Sequence, residues 1–282
     1  MWFLYALLGA IITGVGQVLV KKGQIKLTPL LDNLLAAVIV NLILVPFLLL
    51  KGVDLGAGKG VLIYALIAAT AYATFYYIIS FGNVSLMIGL INTFPIVTIA
   101  LTVSFLREWP NIYQWCGIFL VVLGTVCISR EKSTTKTINK SNMWIFWGLV
   151  GSLAIGTAEF VTKLATLLVD GFTFTFFVYL MYVPPLLIFM ILDKKGRKFN
   201  QLKNVSSLFN TLIGIFLIEA GLIAIALAYQ HGLASLVSPV VATHLLITAV
   251  LATYILKEKL LRIQKIGILL NLIGISIIGI SS

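Results

Sequence analysis

A chain of 282 residues that is 60% apolar and 10% charged, with a mean hydropathy of +1.10, is composed for lipid rather than water. Its net charge of +11 does not signal nucleic acid, because the basic residues sit at the ends of apolar runs and in connections, where membrane proteins carry them. Spanning strands are excluded too: these alternate over about 10 residues, whereas the runs here are long, continuous and rich in Leu, Ile, Val and Ala.

Crossing the bilayer takes about 20 apolar residues, and such runs fall at 2–20, 31–50, 60–80, 84–106, 112–129, 143–165, 173–192, 208–229, 234–256 and 263–281. The fold class is therefore an all-α membrane protein of ten transmembrane helices, with no soluble domain. No basic residue precedes the first run, so it reads as a retained helix and not a cleaved signal. Cys116 and Cys127 lie on one helix, about 16 Å apart at 1.5 Å per residue, too far to bridge each other.

The chain repeats itself. Residues 82–129 laid on 232–279, at an offset of 150, give 14 identities in 48 positions, among them Ser85/Ser235, Thr93/Thr243, Thr98/Thr248, Glu108/Glu258, Gln114/Gln264, Gly117/Gly267 and Gly124/Gly274, with Arg107 facing Lys257. At an offset of 142, Gly14, Gln17, Val18 and Lys21 fall on Gly156, Glu159, Phe160 and Lys163. Each copy holds five helices, and because five is odd the second enters from the opposite side. The result is a 5+5 inverted repeat, the architecture of secondary transporters. The expected units are 1–130, a basic linker at 131–142, and 143–282. The glycines seven apart on helices 5 and 10 are read as packing stripes.

Gly-x6-Lys near the end of helix 1, and an Arg/Lys-Glu pair followed by Gln-x2-Gly-x6-Gly in the last hairpin of each half, resemble the drug/metabolite transporter superfamily, specifically its ten-helix EamA-domain proteins. Gly16 to Lys21 is also similar to helix 1 of the small multidrug resistance proteins and lipid-sugar flippase subunits. The resemblance implies a carrier whose cavity is lined by helices 1–4 and 6–9, with helices 5 and 10 peripheral and the termini cytoplasmic. The proton-and-drug glutamate of the small multidrug relatives has no counterpart, since those positions are Thr13 and Ile155. Charge asymmetry argues for the other orientation: the connections 1–2, 5–6, 7–8 and 9–10 hold 16 of the 20 Lys and Arg, which places the termini outside. Both orientations stay open.

Ionisable residues at membrane depth are expensive, a few kcal/mol or more, and so point to function. Glu219 falls near the middle of helix 8 with Ile215, Phe216, Leu222 and Ile223 as its helical neighbours, so its partner must come from another helix. His244, midway along helix 9 and titratable near neutral pH, is the expected one. Glu159 precedes Lys163 by four residues, the favourable order for an ion pair on one helix face; such a pair is either structural or a gate. Lys22 reads as a snorkelling residue.

Pro95 and Pro184-Pro185 remove backbone donors and open helices 4 and 7 beside Asn92, Thr93 and Tyr182, which suits either hinges or packing. On helix 3, Tyr72, Phe75, Tyr76 and Tyr77 offer aromatic faces, either to hold an amine by cation–π attraction or as an interfacial belt. Gly56 to Gly60 lacks the spacing and the terminal Ser/Thr of a phosphate loop. No metal-ligand spacing or nucleophile motif is present, so neither an enzyme nor a cofactor is expected.

The sequence is thus read as a secondary active transporter of the cell membrane that moves a small polar or amine-bearing metabolite by alternating access, as an exporter coupled to protons. The site residues are Glu219, His244, Glu159, Asn92 and Tyr76, and the partners are a small-molecule substrate and the lipid bilayer. The alternatives are an uptake carrier for a small amine and a non-carrier flippase subunit. Monomer and dimer both stay open.

Overall fold

The computed structural model describes residues 1–23, 27–78, 84–130, 143–203, 205–257 and 259–281; the linker 131–142 and Glu258 lie outside the described residues. Helices occupy all ten expected spans: α1 Trp2–Gly23, α2 Pro29–Lys51, α3 Leu55–Ile78, α4 Val84–Ile91 continued by Phe94–Leu101 and a π turn at Thr102–Leu106, α5 Ile112–Ile128, α6 Met143–Thr166, α7 Gly171–Leu192, α8 Val205–His231, α9 Ala234–Ile255 and α10 Arg262–Ile280. Among the described residues nine of these are long and apolar enough to cross a bilayer, and Ile112–Ile128 is shorter.

The packing obeys the repeat. Helix α1 lies on α8 and α9 as α6 lies on α3 and α4; α2 lies on α8 as α7 lies on α3; α5 and α10 lie on each other. Exchanging helices 1–5 for 6–10 maps every one of these pairs onto another or onto itself.

Individual atoms repeat in the same way. Arg107 and Lys257 both adopt left-handed backbone, with φ of 55° and 57°, at the corners that lead into α5 and α10. Past each corner a glutamine serves twice. Gln114 Oε1 accepts the N–H of Asn111 while its Nε2 donates to the Ser281 carbonyl at the end of α10; Gln264 Oε1 accepts the N–H of Leu261 while its Nε2 donates to the Ile128 carbonyl at the end of α5.

Small residues set how closely the helices approach. A Cβ on Gly124 would meet the Gly267 carbonyl oxygen at 2.6 Å, and one on Gly267 would meet the Gly124 oxygen at 2.6 Å; Gly117 and Gly274 are related likewise. Since lipid supplies no hydrophobic drive between helices, this backbone-to-backbone contact and the hydrogen bonds across it are what hold α5 to α10. The glycines act as the packing stripes their spacing predicts.

Helices α4, α7 and α9 are discontinuous. Helix α4 breaks at Asn92 and Thr93, just before Pro95, and α7 at Met181 and Tyr182, just before Pro184-Pro185, as the missing proline donors require. The break in α9 at Thr243 was not expected, since Pro239 lies a full turn earlier. The Thr93 hydroxyl donates to the Leu90 carbonyl at 2.7 Å and the Thr243 hydroxyl to the Val240 carbonyl at 2.6 Å. These are again equivalent atoms, and a side chain that bonds its own preceding turn takes over part of the helix ladder.

Candidate functional site

Glu219 is the fifteenth of the 27 residues of α8 and only 5% exposed. Among the described residues its carboxyl has no hydrogen-bond or ion-pair partner; what holds this turn is the Tyr179 hydroxyl of α7, which donates to the Glu219 backbone carbonyl at 2.5 Å. Tyr72 and Tyr76 of α3 and Tyr179 and Tyr182 of α7 all lie within electrostatic range of the Glu219 carboxyl. Tyr76 and Tyr182 also lie within range of Asp32 of α2. Beside Asp32, Asn33 ties three helices together: its Oδ1 accepts from the Tyr182 hydroxyl at 2.7 Å, and its Nδ2 donates to the Ala73 carbonyl at 3.1 Å.

His244 is not the partner of Glu219. It opens the second part of α9 and places Nδ1 3.1 Å from Gln17 Oε1 of α1, with the Thr248 hydroxyl 3.0 Å from the same oxygen. The backbone explains the placement, since a Cβ on Gly14 would meet the His244 carbonyl at 2.8 Å, so α1 and α9 are pressed together here. Asn92 also turns away, its Nδ2 donating to the Ile88 carbonyl of its own helix at 2.7 Å. Of the five expected site residues, Glu219 and Tyr76 come together; His244 and Asn92 stand elsewhere.

Glu159 is the fifth, and its expected ion pair with Lys163 is absent. Its Oε2 instead accepts from Tyr229 of α8 at 2.5 Å, Ser238 of α9 at 2.5 Å and Thr98 of α4 at 3.4 Å. Lys163 turns to the backbone, donating to the carbonyls of Tyr229 at 3.0 Å and Gly232 at 2.6 Å, with Glu108 at 3.8 Å. The end of a long helix offers carbonyls without internal partners, and the ammonium satisfies those of α8. Glu108 in turn accepts the N–H of Ser235, in the first turn of α9, at 3.2 Å. Burial pushes the Glu108 carboxyl up from its ordinary range, and the Ser235 N–H and the Lys163 ammonium draw it down less strongly.

The equivalent residues in the other half differ in burial. Thr248 bonds Gly14 and Gln17 as Thr98 bonds Gly156 and Glu159, so each half keeps this joint. Glu159 and Lys163 are buried, however, whereas Gln17 is half-buried and Lys21 exposed. Helix α6 packs on α8 and α9 as well as on α3 and α4, and α1 has no contact of like extent with α3 and α4 among the described residues. The bundle is tied shut at the Lys163 end.

Between α3, α6, α7 and α8 lies a small cavity of about 20 Å³ bordered by Tyr72, Thr162, Thr175 and Tyr179, space on the scale of one water. A larger lateral groove of about 400 Å³ is lined by Thr74, Tyr77, Trp147, Phe189 and Asp193. Tyr77 belongs to this groove, its ring 4.3 Å from that of Phe189, and not to the aromatic group around Glu219.

Sequence reasoning missed Asp32, Asn33, Tyr179 and Gln17. Asp32 had a signal, an acidic residue inside an apolar run; Gln17 had another, its equivalence to Glu159 in the repeat. Tyr179 and Asn33 had none, because a single polar residue in a spanning helix does not disclose which neighbour it meets.

A family profile described as the EamA-like transporter family matches residues 1–130 and 142–280. An uncharacterized protein of Methanocaldococcus jannaschii is 31% identical over 96 residues, covering 32% of this chain and 70% of that protein, which is thus about half as long. The crystal structure of another protein superposes with a TM-score of 0.78 at 11% identity, covering 97% of this chain and 95% of its own; at that identity the likeness speaks for the fold.

Proposed function

The chain belongs to the EamA-like transporter family, and from that premise we propose that it is a proton-coupled secondary transporter of the cell membrane, exporting a small amine-bearing metabolite by alternating access. The observation that carries the reading is the Glu219 carboxyl, mid-membrane and without a partner among the described residues, amid four tyrosines and near Asp32. A lone buried carboxylate is costly. A proton or a cation removes that cost, and the two compete for the place, which is the logic of exchange. Aromatic faces add attraction for an ammonium group, and the buried lysine is set against Glu108 and not against Glu219.

Alternating access is supported by the inverted repeat and by the unequal burial of its equivalent residues, Glu159 and Lys163 being buried where Gln17 is half-buried and Lys21 exposed. Two arrangements of nearly equal energy follow when a sequence repeats in inverted form. The test is transport into proteoliposomes under an imposed pH gradient, with a panel of primary and quaternary amines. The gradient should drive at least one of them, and Glu219→Gln should abolish the dependence on the gradient. Transport by Glu219→Gln that still follows the proton gradient overturns the assignment.

A flippase subunit is the second reading, and the lateral groove favours it, being mostly apolar with Asp193 at its rim. Reconstituted protein that scrambles a fluorescent lipid but moves no amine would select it.

A further inference from the structure

Glu159 sits in a shell whose chemistry is unusual for a buried charge. Three hydroxyls surround its Oε2, from Thr98 of α4, Tyr229 of α8 and Ser238 of α9, and each of those helices differs from its own. The titratable groups nearby are Tyr229 of α8 and Tyr72 of α3, with Glu219 beyond Tyr72. On its own helix Lys163 points to the end of α8 and to Glu108. Helices α4 and α9 present no charged or titratable side chain to it among the described residues. N–H groups and cations can only donate to a carboxyl group. Hydroxyls both donate and accept, so the same shell serves a carboxylate and a carboxylic acid.

Burial decides which form the shut end prefers. An ionised carboxylate taken from water costs several kcal/mol unless a cation answers it, and among the described residues no ion pair with Glu159 is formed. Opening the Lys163 end would part α6 from α8 and α9, separate Glu159 from Tyr229 and Ser238, and admit water that hydrates the charge. The repeat supplies a comparison within the molecule, because the equivalent residue in the first half is the half-buried Gln17, which carries no proton to lose.

We propose that Glu159 is a second proton-binding site, loaded while the Lys163 end is shut and discharged to water when that end opens. Tyr72, in electrostatic range of both carboxyls and bordering the one-water cavity with Thr162, joins this site to Glu219. The proposal rests on the alternating-access reading and assigns a proton to each carboxyl: the amine displaces the one on Glu219, so Glu219→Gln uncouples the substrate from both, and the one on Glu159 follows the closure of the Lys163 end.

The test uses reconstituted full-length protein in which Cys116 and Cys127 are replaced by Ser. A single Thr162→Cys on the α6 face that closes over Tyr72 is reacted with a water-soluble thiol reagent, and its rate is normalised at each pH to that of Leu167→Cys, which is exposed at the end of α6. The normalised rate should rise as pH rises, by up to about tenfold per unit for a single linked proton. Glu159→Gln, a neutral mimic, should hold it low at every pH. Glu219→Gln should leave the rise in place, which separates failure here from failure of the transport reading. Infrared difference spectra between acid and alkaline pH give a second measurement: of the buried carboxylic C=O bands of the parent protein, Glu159→Gln should lose one that Glu219→Gln keeps, and should keep the one that Glu219→Gln loses. A normalised rate flat in pH, or one that still rises in Glu159→Gln, overturns the proposal, as does an identical set of carboxylic bands in the two variants.

Discussion

Arg107 and Lys257 stand 150 residues apart and share one left-handed backbone conformation, φ 55° and 57°, and among the described residues no other non-glycine has positive φ. The Cβ of an L-residue is crowded there, at a cost of about 1–2 kcal/mol, so the corner needs that conformation whatever the side chain. Valine at either position adds the stiffness of a branched Cβ. Arg107→Val and Lys257→Val should each lower stability by about 1–2 kcal/mol, and the double variant by the sum, because the corners lead into opposite ends of the antiparallel α5 and α10 pair. Thermal melting in detergent measures this; strong non-additivity would mean that the two corners are not independent copies of one turn.

Gly124 and Gly267 face each other at the crossing of α5 and α10, and a Cβ at Gly124 would come within 2.2 Å of Asn271 Nδ2 and 2.6 Å of the Gly267 carbonyl. Neither helix can retreat without losing the paired contact at Gly117 and Gly274. Gly124→Leu is therefore expected to destabilise by about 2–5 kcal/mol, the range of overpacked or cavity-forming substitutions with a named mechanism. Exposed Phe119, on the lipid side of the same helix, should accept Leu with a change within about 0.5 kcal/mol. Melting curves of the two variants side by side decide it.

Much of this architecture is legible in the sequence, and the reason is physical. A spanning helix must be long and apolar, and an inverted repeat must preserve the residues that turn its corners and press its helices together, so Arg107/Lys257, Gln114/Gln264 and the glycines can be found by alignment alone. The site is less legible. In a lipid-facing bundle nearly every face of a helix is apolar, so periodicity does not say which side looks inward. His244 was matched to Glu219 by depth, when the close approach of Gly14 delivers it to Gln17 instead. Glu159 and Lys163 were matched by their spacing of four, but the free carbonyls at the end of α8 outcompete a carboxylate on the same helix for the ammonium.

Lys163 holds three elements, the end of α8, the start of α9 and the corner at Glu108. Lys163→Met keeps the length of the side chain and removes the charge, leaving the carbonyls of Tyr229 and Gly232 without their donor and Glu108 buried without a cation. Breaking one side of a buried pair costs about 3–5 kcal/mol. The loss should be largely recovered in the double variant Lys163→Met with Glu108→Gln. No recovery in the melting temperature of the double variant would show that the carbonyl contacts, and not the charge, are what matter.

Glu108 gives this end a pH dependence of known sign. Burial raises its carboxyl above the ordinary range in the folded protein, so the folded state binds this proton more tightly than the unfolded chain does. The stabilisation is complete below the ordinary carboxylate range and is lost as pH rises through the raised value. The melting temperature should fall across that window on going from acid towards neutral pH, and Glu108→Gln should flatten the fall. A slope unchanged in the variant would assign the pH dependence to another group.

Tyr76 and Asn92 were both expected to border the substrate space, and their surroundings now separate them. Tyr76 is half-buried on α3, in range of Glu219 and Asp32, where a bound cation would shield it. Asn92 is 5% exposed and its amide bonds back to Ile88 of its own helix. In protein lacking Cys116 and Cys127, Tyr76→Cys should react with a water-soluble thiol reagent, and a transported amine should suppress that reaction. Asn92→Cys should react slowly and without regard to the amine. If instead Asn92→Cys is the position that substrate protects, the binding space lies along the break in α4, and the tyrosines around Glu219 are packing.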